Sequence, residues 1–145
     1  MAVVGEKVAE LVGMLPMFTG TLLEGIEIRT PIKLSISEEK TLMFLYKHEG
    51  KSMTAYSKKV GLTRGSFTAV ADRLEDKGLI ERTSVCDDRR KNALILTKEG
   101  KSIAKIIDRC FKQHIASKVE LLDAEDLKSL KNALETIVST IDKLK

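Results

Sequence analysis

Two groups of polar and basic residues lie in one stretch of the chain, between Gly61 and Gly100. The first group begins a segment with helical spacing and comprises Thr63, Arg64, Gly65, Ser66, Thr68 and Arg73. The second group lies between two apolar segments and comprises Asp88, Arg89, Arg90 and Lys91. Arginine can donate two parallel hydrogen bonds to a guanine edge, and basic side chains displace counterions from phosphates. These residue types therefore predict a surface for double-stranded DNA.

The first group lies on the outward side of a predicted helix over 63–77, with Ser66 and Arg73 at its edges. Thr63 and Ser66 can cap this helix or donate to a phosphate near its positive end. Arg64 is the best placed to read a guanine edge. An ordinary surface helix is the alternative explanation. The opposite face should anchor the helix to a core through Phe67, Val70, Ala71 and Leu74.

The second group forms the tip of a predicted hairpin whose strands are 79–83 and 92–96. Arg89 and Arg90 on such a finger suit a narrow, electronegative minor groove. Asp88 would orient one of them through a charge-assisted pair. A solvated charged turn is the alternative, and the helix that precedes the hairpin makes that alternative weaker.

The distribution of charge along the chain agrees with this interpretation. The whole chain has a net charge of +4. Residues 51–105 carry thirteen Lys and Arg against seven Asp and Glu, whereas the remainder carries twelve against fourteen. The positive charge is thus concentrated around both groups, as expected of an element that contacts phosphates. A solvated basic face remains the alternative.

Composition excludes several other classes of protein. The 145 residues suit a single domain, and no long uncharged apolar run or signal segment is present, so we expect a cytoplasmic protein. Two cysteines and two histidines are too few and too widely spaced for a disulfide framework or a zinc site. No Ser/His/Asp, Cys/His or paired-carboxylate set is recognisable. We therefore expect neither an enzyme nor a bound cofactor.

The elements that must position these residues are mainly helical. A capping box at Ser35–Glu38 begins one helix, Thr97 caps another, and Pro16 should bend or break the first. Gly61-Leu62 separates two helices at helix-turn-helix spacing. The expected fold is mainly α with a small β-wing of two to three strands. The predicted helices cover 4–28, 37–48, 54–60, 63–77, 98–119 and the segment from Asp123 to the C-terminus.

The last predicted helix carries an apolar seam at 3-4-3-4-3 spacing, formed by Leu127, Leu130, Leu134, Ile137, Ile141 and Leu144. The helix before it has a comparable stripe of Ile103, Ile107, Cys110 or Phe111, and Ile115. Packing within one chain would explain both stripes. The apolar area nevertheless exceeds what a small winged domain can cover, which favours a two-fold symmetric dimer.

The stretch GLTRGSFTAVADRLEDKGLIER, the wing sequence DDRR and the closing LILTKEG resemble the MarR family of bacterial transcription regulators. The resemblance spans nearly the whole chain. It implies a winged helix-turn-helix region over 35–100, with dimerisation helices at 1–30 and 101–145. Thr63–Thr68 match the start of the recognition helix and Asp88–Arg90 match the wing motif. Leu94, Leu96, Thr97 and Gly100 match the return strand and the next helix cap.

The same resemblance implies a homodimer that binds pseudo-palindromic operator DNA. Such a protein is often a repressor that a small lipophilic or aromatic ligand, or oxidation, releases from its operator. A ligand cavity could be lined by Met14, Met17, Phe18, Met43 and Phe44, although core packing explains these residues as well.

Two other functions remain open from the sequence. A protein-interaction adaptor that reuses the winged helix would explain the Leu/Ile seam but not the basic wing. A redox-sensing regulator could use Cys86, whose neighbours include both carboxylates and guanidiniums with opposing effects on a thiol. Peroxide-sensing members of the family use a cysteine in the first helix, and this chain has none there.

Overall fold

The computed structural model describes residues 2–48, 64–85 and 88–145, with backbone alone at 64–65, 84–85 and 88–93. The fold is mainly α, with a two-stranded antiparallel wing, as predicted. The predicted helix 54–60, Thr63 and Cys86 lie outside the described residues. The helices are α1 (Ala2–Leu23), α2 (Ile36–Lys47), α3 (Arg64–Asp76), α4 (Lys98–Val119) and α5 (Ala124–Ile141), followed by a 3₁₀ turn at Asp142–Leu144; the strands are β1 (Ile80–Val85) and β2 (Asp88–Leu96).

Helix α2 begins at the predicted capping box. The Glu38 backbone N–H donates to Ser35 Oγ at 3.2 Å, and the Ser35 N–H donates to Glu38 Oε1 at 3.5 Å. Each contact satisfies a backbone donor that has no partner inside the helix. The prediction is confirmed, and it fixes the position of the Glu38 side chain beside its own helix terminus.

Helix α3 packs one complete face into the core. Phe67, Val70, Ala71 and Leu74 are each at most 3% exposed, which confirms the predicted anchor face. Truncating a buried Leu or Phe in such a core commonly costs about 2–5 kcal/mol of stability. The other apolar side chains of this core are Leu42, Leu45, Leu79, Ile80, Leu94, Leu96, Ile103, Ala104 and Ile107.

The turn at Gly78 joins α3 to the wing. Gly78 has φ +74° and its N–H donates to Glu75 O at 2.9 Å, while Leu79 N–H donates to Leu74 O at 3.0 Å. This hydrogen-bond pattern ends a helix at a residue in the left-handed region, which glycine adopts without strain. Helix α3 therefore turns directly into β1.

Thr97 links the same turn to α4. Its hydroxyl donates to Gly78 O at 2.7 Å and accepts from the Gly100 N–H at 3.0 Å, so the predicted cap is confirmed. A Cβ at Gly100 would lie only 1.9 Å from Leu79 O. The start of α4 consequently packs against the β1 backbone at a distance that only glycine permits.

The hairpin differs from its prediction at the tip. Pairs run from Ile80–Leu96 to Ser84–Asn92, and the next pair is Val85–Asp88. Arg89, Arg90 and Lys91 thus lie between two pairs that are adjacent in β1. The predicted loop is instead an irregular, extended part of β2, because extra residues in one strand disrupt the ladder locally without ending it.

Helix α1 corrects two predictions. It continues through Pro16, so a break there is wrong. Proline removes one backbone donor, but the hydrogen bonds on either side still hold the helix. The helix also ends at Leu23 instead of Ile28, because Gly25 (φ +77°) leaves the right-handed helical region.

The chain divides into two compact units. The winged unit is Glu27–Phe111, and the helical unit is Met1–Ile26 with Lys112–Lys145. Ile103 and Ile107 of α4, which the sequence placed in an apolar stripe, are buried in the core of the winged unit. None of the helices in the described ranges is both long and apolar enough to span a lipid bilayer.

The helical unit leaves many of its apolar side chains exposed. Neither α1 nor α5 contains a buried residue. In the predicted seam of α5, Leu127 is 40% exposed and Ile141 is 47% exposed. A groove of about 490 Å³ along α5 is lined by Val119, Leu127, Leu130, Lys131, Leu134, Glu135, Val138 and Ser139.

Candidate DNA-binding surface

The face of α3 opposite its core anchor is polar and exposed. Ser66, Ala69 and Asp72 are exposed there, and Thr68 is half-buried. The backbone of Arg64 begins the helix, so it lies in the first turn. The helix dipole makes that turn suited to anions such as a phosphate. Arg64, Gly65, Ser66, Thr68 and Arg73 therefore share one helix. Of their described side chains, Ser66 is exposed and Thr68 and Arg73 are partly exposed.

The wing tip lies at the far end of the hairpin from α3. Five residue steps separate Ile80 from Val85 in β1, a distance of about 17 Å at roughly 3.3 Å per residue. The backbone of Asp88 pairs with Val85 at this far end, and Arg89–Lys91 follow within the register shift. The backbone of Arg89–Lys91 therefore lies at the opposite end of the hairpin from the turn that joins α3 to β1.

Arg82 ties the wing to α3, and sequence reasoning did not identify this contact. Its guanidinium forms an ion pair with Asp72 Oδ1, and its Nε lies 4.0 Å from Glu75 Oε2. Asp72 and Glu75 are one turn apart, and their i, i+3 spacing was the available sequence signal. The pair holds the first strand of the wing against α3, and it offsets negative charge on the polar face of that helix.

A second ionic contact joins α3 to α2. The Glu38 side chain is 4% exposed, and its Oε2 accepts from Lys77 Nζ at 2.5 Å. Arg73 Nε lies 3.5 Å from Glu38 Oε1. Arg73, predicted as a DNA contact, is half-exposed at this position. Sequence reasoning recognised Glu38 only as part of a capping box.

The two neighbouring carboxyls of α2 have opposite electrostatic surroundings. Burial works to raise the pKa of the Glu38 carboxyl, but hydrogen bonds from Lys77 and Ser35 outweigh it and hold the pKa below its ordinary value. Burial raises the pKa of Glu39, and the nearby charge of Glu38 raises it further. Glu38 is thus a stabilised anion.

The described residues contain no cluster of three or more His, Cys, Asp or Glu side chains that could hold a metal ion. Cys110 is a half-buried thiol in α4. Of the side chains considered for a ligand cavity, Met43 and Phe44 pack against the core of the winged unit. Met14 and Met17 are exposed on α1, and Phe18 is half-buried.

A sequence profile described as the MarR family matches residues 34–91, which run from the start of α2 into β2. The organic hydroperoxide resistance transcriptional regulator of Bacillus subtilis is 31% identical over 121 residues, covering 83% of this chain and 76% of that protein. The chain belongs to the MarR family. It is a DNA-binding transcription regulator with a winged-helix fold.

Solved structures share this fold over almost the whole chain. A MarR family protein from Bacillus stearothermophilus has the same fold, with a TM-score of 0.74, 22% identity, and coverage of 95% and 97% of the two chains. The transcriptional repressor CouR, bound to a 23-mer DNA duplex, is 27% identical with a TM-score of 0.68, covering 91% of this chain and 95% of its own.

Proposed function

We propose that this MarR-family protein is a homodimeric, sequence-specific regulator that acts as a repressor on pseudo-palindromic operator DNA. One observation carries the proposal: α3 buries one face completely in the core of the winged unit and presents its polar face to solvent. Such a helix can enter a major groove without losing its packing. The similarity to CouR, whose structure contains a DNA duplex, supports the choice of partner.

The proposed contacts divide into base reading and positioning. Arg64 reads a guanine edge from the first turn of α3. The remaining proposed contacts of this helix line the groove or bind phosphate, and they are Thr63, Gly65, Ser66, Thr68 and Arg73. At the wing, Arg89, Arg90 and Lys91 enter or flank the adjacent minor groove, and Asp88 orients their guanidiniums.

The exposed apolar faces of α1 and α5 support a dimer built from the terminal segments 1–30 and 101–145. A 22-residue helix that buries nothing gains little stability from its own hydrogen bonds in water. A second copy would cover the groove along α5 by two-fold symmetry. Two recognition helices would then address half-sites about one helical turn of DNA apart.

A small lipophilic or aromatic effector that releases the dimer from its operator would complete the function in the cytoplasm, where the DNA is. This part of the proposal rests on what is common in the MarR family. Thermal unfolding of the protein in the presence of a panel of aromatic carboxylates tests for such an effector. A ligand that binds only the folded dimer raises the melting temperature.

Selection from a random duplex pool tests the main proposal. The wild-type protein should enrich one pseudo-palindromic sequence, and fluorescence anisotropy should show tighter binding to it than to a scrambled duplex. Binding should also weaken steeply with salt, because several phosphate contacts release counterions. The absence of an enriched sequence, or an affinity independent of salt, would contradict sequence-specific DNA binding and favour an adaptor.

A further inference from the structure

Glu38 lies where it can control the placement of the recognition helix. Its carboxylate is buried between α2 and the end of α3, outside the set of proposed DNA contacts. One oxygen accepts from Lys77 at 2.5 Å, and the other lies 3.5 Å from Arg73 Nε. Lys77 also donates to the Lys33 carbonyl at 3.0 Å. The end of α3 is therefore held to the segment that leads into α2 and to α2 itself.

The two cations are four residues apart: Arg73 lies in α3, and Lys77 follows its last residue, Asp76. The Lys77 N–H also continues the helical pattern by donating to Arg73 O at 3.0 Å. A single carboxylate that contacts both side chains restricts rotation of the helix about its axis as well as movement along it. The charge-assisted hydrogen bond from Lys77 adds a directional contact to the packing of the apolar anchor face, whose hydrophobic contacts are not directional.

Glu38 is itself held in place by its own helix. The Ser35 N–H donates to Glu38 Oε1, and the Glu38 N–H donates to Ser35 Oγ. The capping box thus orients the carboxylate, and the hydrogen bonds that it accepts stabilise its anionic form. It forms a rigid reference point against which α3 is aligned.

We propose that Glu38 is a positioning residue for DNA recognition, which sets the rotation and axial position of α3 through Lys77 and Arg73 and thereby the aim of its first turn. The inference rests on the proposed DNA contacts of α3. Arg64 precedes Arg73 by nine residues, about 14 Å along the helix at roughly 1.5 Å per residue. A small rotation at the Glu38 contact consequently moves the base-reading end out of alignment.

Two variants of α2 separate positioning from general effects of charge. Glu38→Gln keeps an acceptor for the capping box but removes the charge that faces Lys77 and Arg73. Glu39→Gln makes the same change in net charge in the same helical turn, on a side chain that has no ion pair with the described residues. Circular dichroism at the temperature of the binding measurement checks that both variants are folded.

The readout is the ratio of affinities for the duplex enriched by the wild-type protein and for its scrambled version. Glu38→Gln should lower this ratio about tenfold, the loss of roughly one base contact. Its affinity for the scrambled duplex should stay equal or rise slightly, because the protein gains positive charge. Glu39→Gln should stay within about twofold of wild type in this ratio. A residue that only stabilises the fold would leave the ratio unchanged.

A double-mutant cycle keeps the inference testable if Glu38→Gln does not fold. Lys77→Gln, with Lys40→Gln as a control of equal charge, should also lower the ratio. Where both single variants fold, the double variant should lose about as much as the larger single change, because both break one contact. If Glu38→Gln folds and keeps the wild-type ratio, the inference is overturned while the proposed function stands. If Glu38→Gln does not fold, a folded Lys77→Gln with the wild-type ratio has the same meaning. A wild-type protein that enriches no sequence overturns both this inference and the proposed function.

Discussion

The winged unit and the helical unit differ in how much apolar surface they bury. The winged unit closes its own core, in which Leu42, Leu74 and Leu94 have no exposed surface. In the helical unit, α1 and α5 bury no residue and expose whole apolar faces. The first arrangement gives a rigid platform for α3 and the wing. The second leaves apolar surface for the proposed dimer to cover, so the two units should respond differently to mutation.

The largest expected effect is on association through α5. Ile137→Asp places a charge in the proposed dimer seam, where desolvation costs several kcal/mol, so the dimer should dissociate about 100-fold or more readily. Sedimentation equilibrium measures the change. Asn132→Asp, on the opposite side of the same helix, is the matched control and should leave association unchanged. Equal behaviour of the two variants would show that the apolar face of α5 is not the interface.

Gly100 provides the sharpest test of the closed core. Gly100→Ala brings a Cβ against Leu79 O, which cannot move without displacing β1, so we expect a loss of about 3 kcal/mol in unfolding free energy. Gly5→Ala in α1 meets no atom within 4 Å and should change stability by less than about 1 kcal/mol. Urea denaturation of both variants makes the comparison. Similar losses would contradict the distinction between the units.

Within the DNA-binding surface, base reading and groove binding should separate. Arg64→Ala should reduce the preference for the enriched duplex by about 1–3 kcal/mol, whereas Arg89→Ala should weaken binding to enriched and scrambled duplexes alike. Anisotropy titrations of both duplexes provide the data. The assigned roles are wrong if Arg89→Ala changes the preference and Arg64→Ala does not.

The smallest expected effect is a dependence of stability on pH. The folded-state pKa of Glu38 is below its unfolded value, so its contribution is present above the unfolded pKa of about 4.3 and is lost as the pH falls through the folded pKa. Glu38→Gln should therefore lose part of this acid dependence. The folded-state pKa of Glu39 is raised, so folding disfavours its charged form. Glu39→Gln removes this charge and should not lower stability at neutral pH. Urea denaturation midpoints of the two variants, measured between about pH 3 and about pH 7 where carboxyl groups titrate, make the comparison.

Local chemistry in the sequence was enough to predict much of the winged unit. The anchor face of α3, the capping box at Ser35 and the cap at Thr97 follow from helical spacing and from side chains that satisfy nearby backbone groups. These features depend on residues within a few positions of each other. The same reasoning placed the backbone of Arg64 in the first turn of α3.

Contacts between distant segments were beyond this reasoning. The ion pairs of Arg82 with Asp72 and of Glu38 with Lys77 join residues on different elements, and charge alone does not choose among many possible partners. The register shift at Arg89–Lys91 depends on how two strands pair along their length. Of the bend or break expected at Pro16, the break does not occur, because a long helix can tolerate a single lost hydrogen bond.

Native mass spectrometry of the wild-type protein on its enriched duplex tests the central claim most directly, because it requires both units to act as proposed. We predict two 16.1-kDa chains on each duplex, with no such complex on the scrambled duplex at the same salt concentration. A complex containing one chain per duplex, or equal complexes on both duplexes, would contradict the account of a self-contained DNA-binding unit joined to its copy through the helical unit.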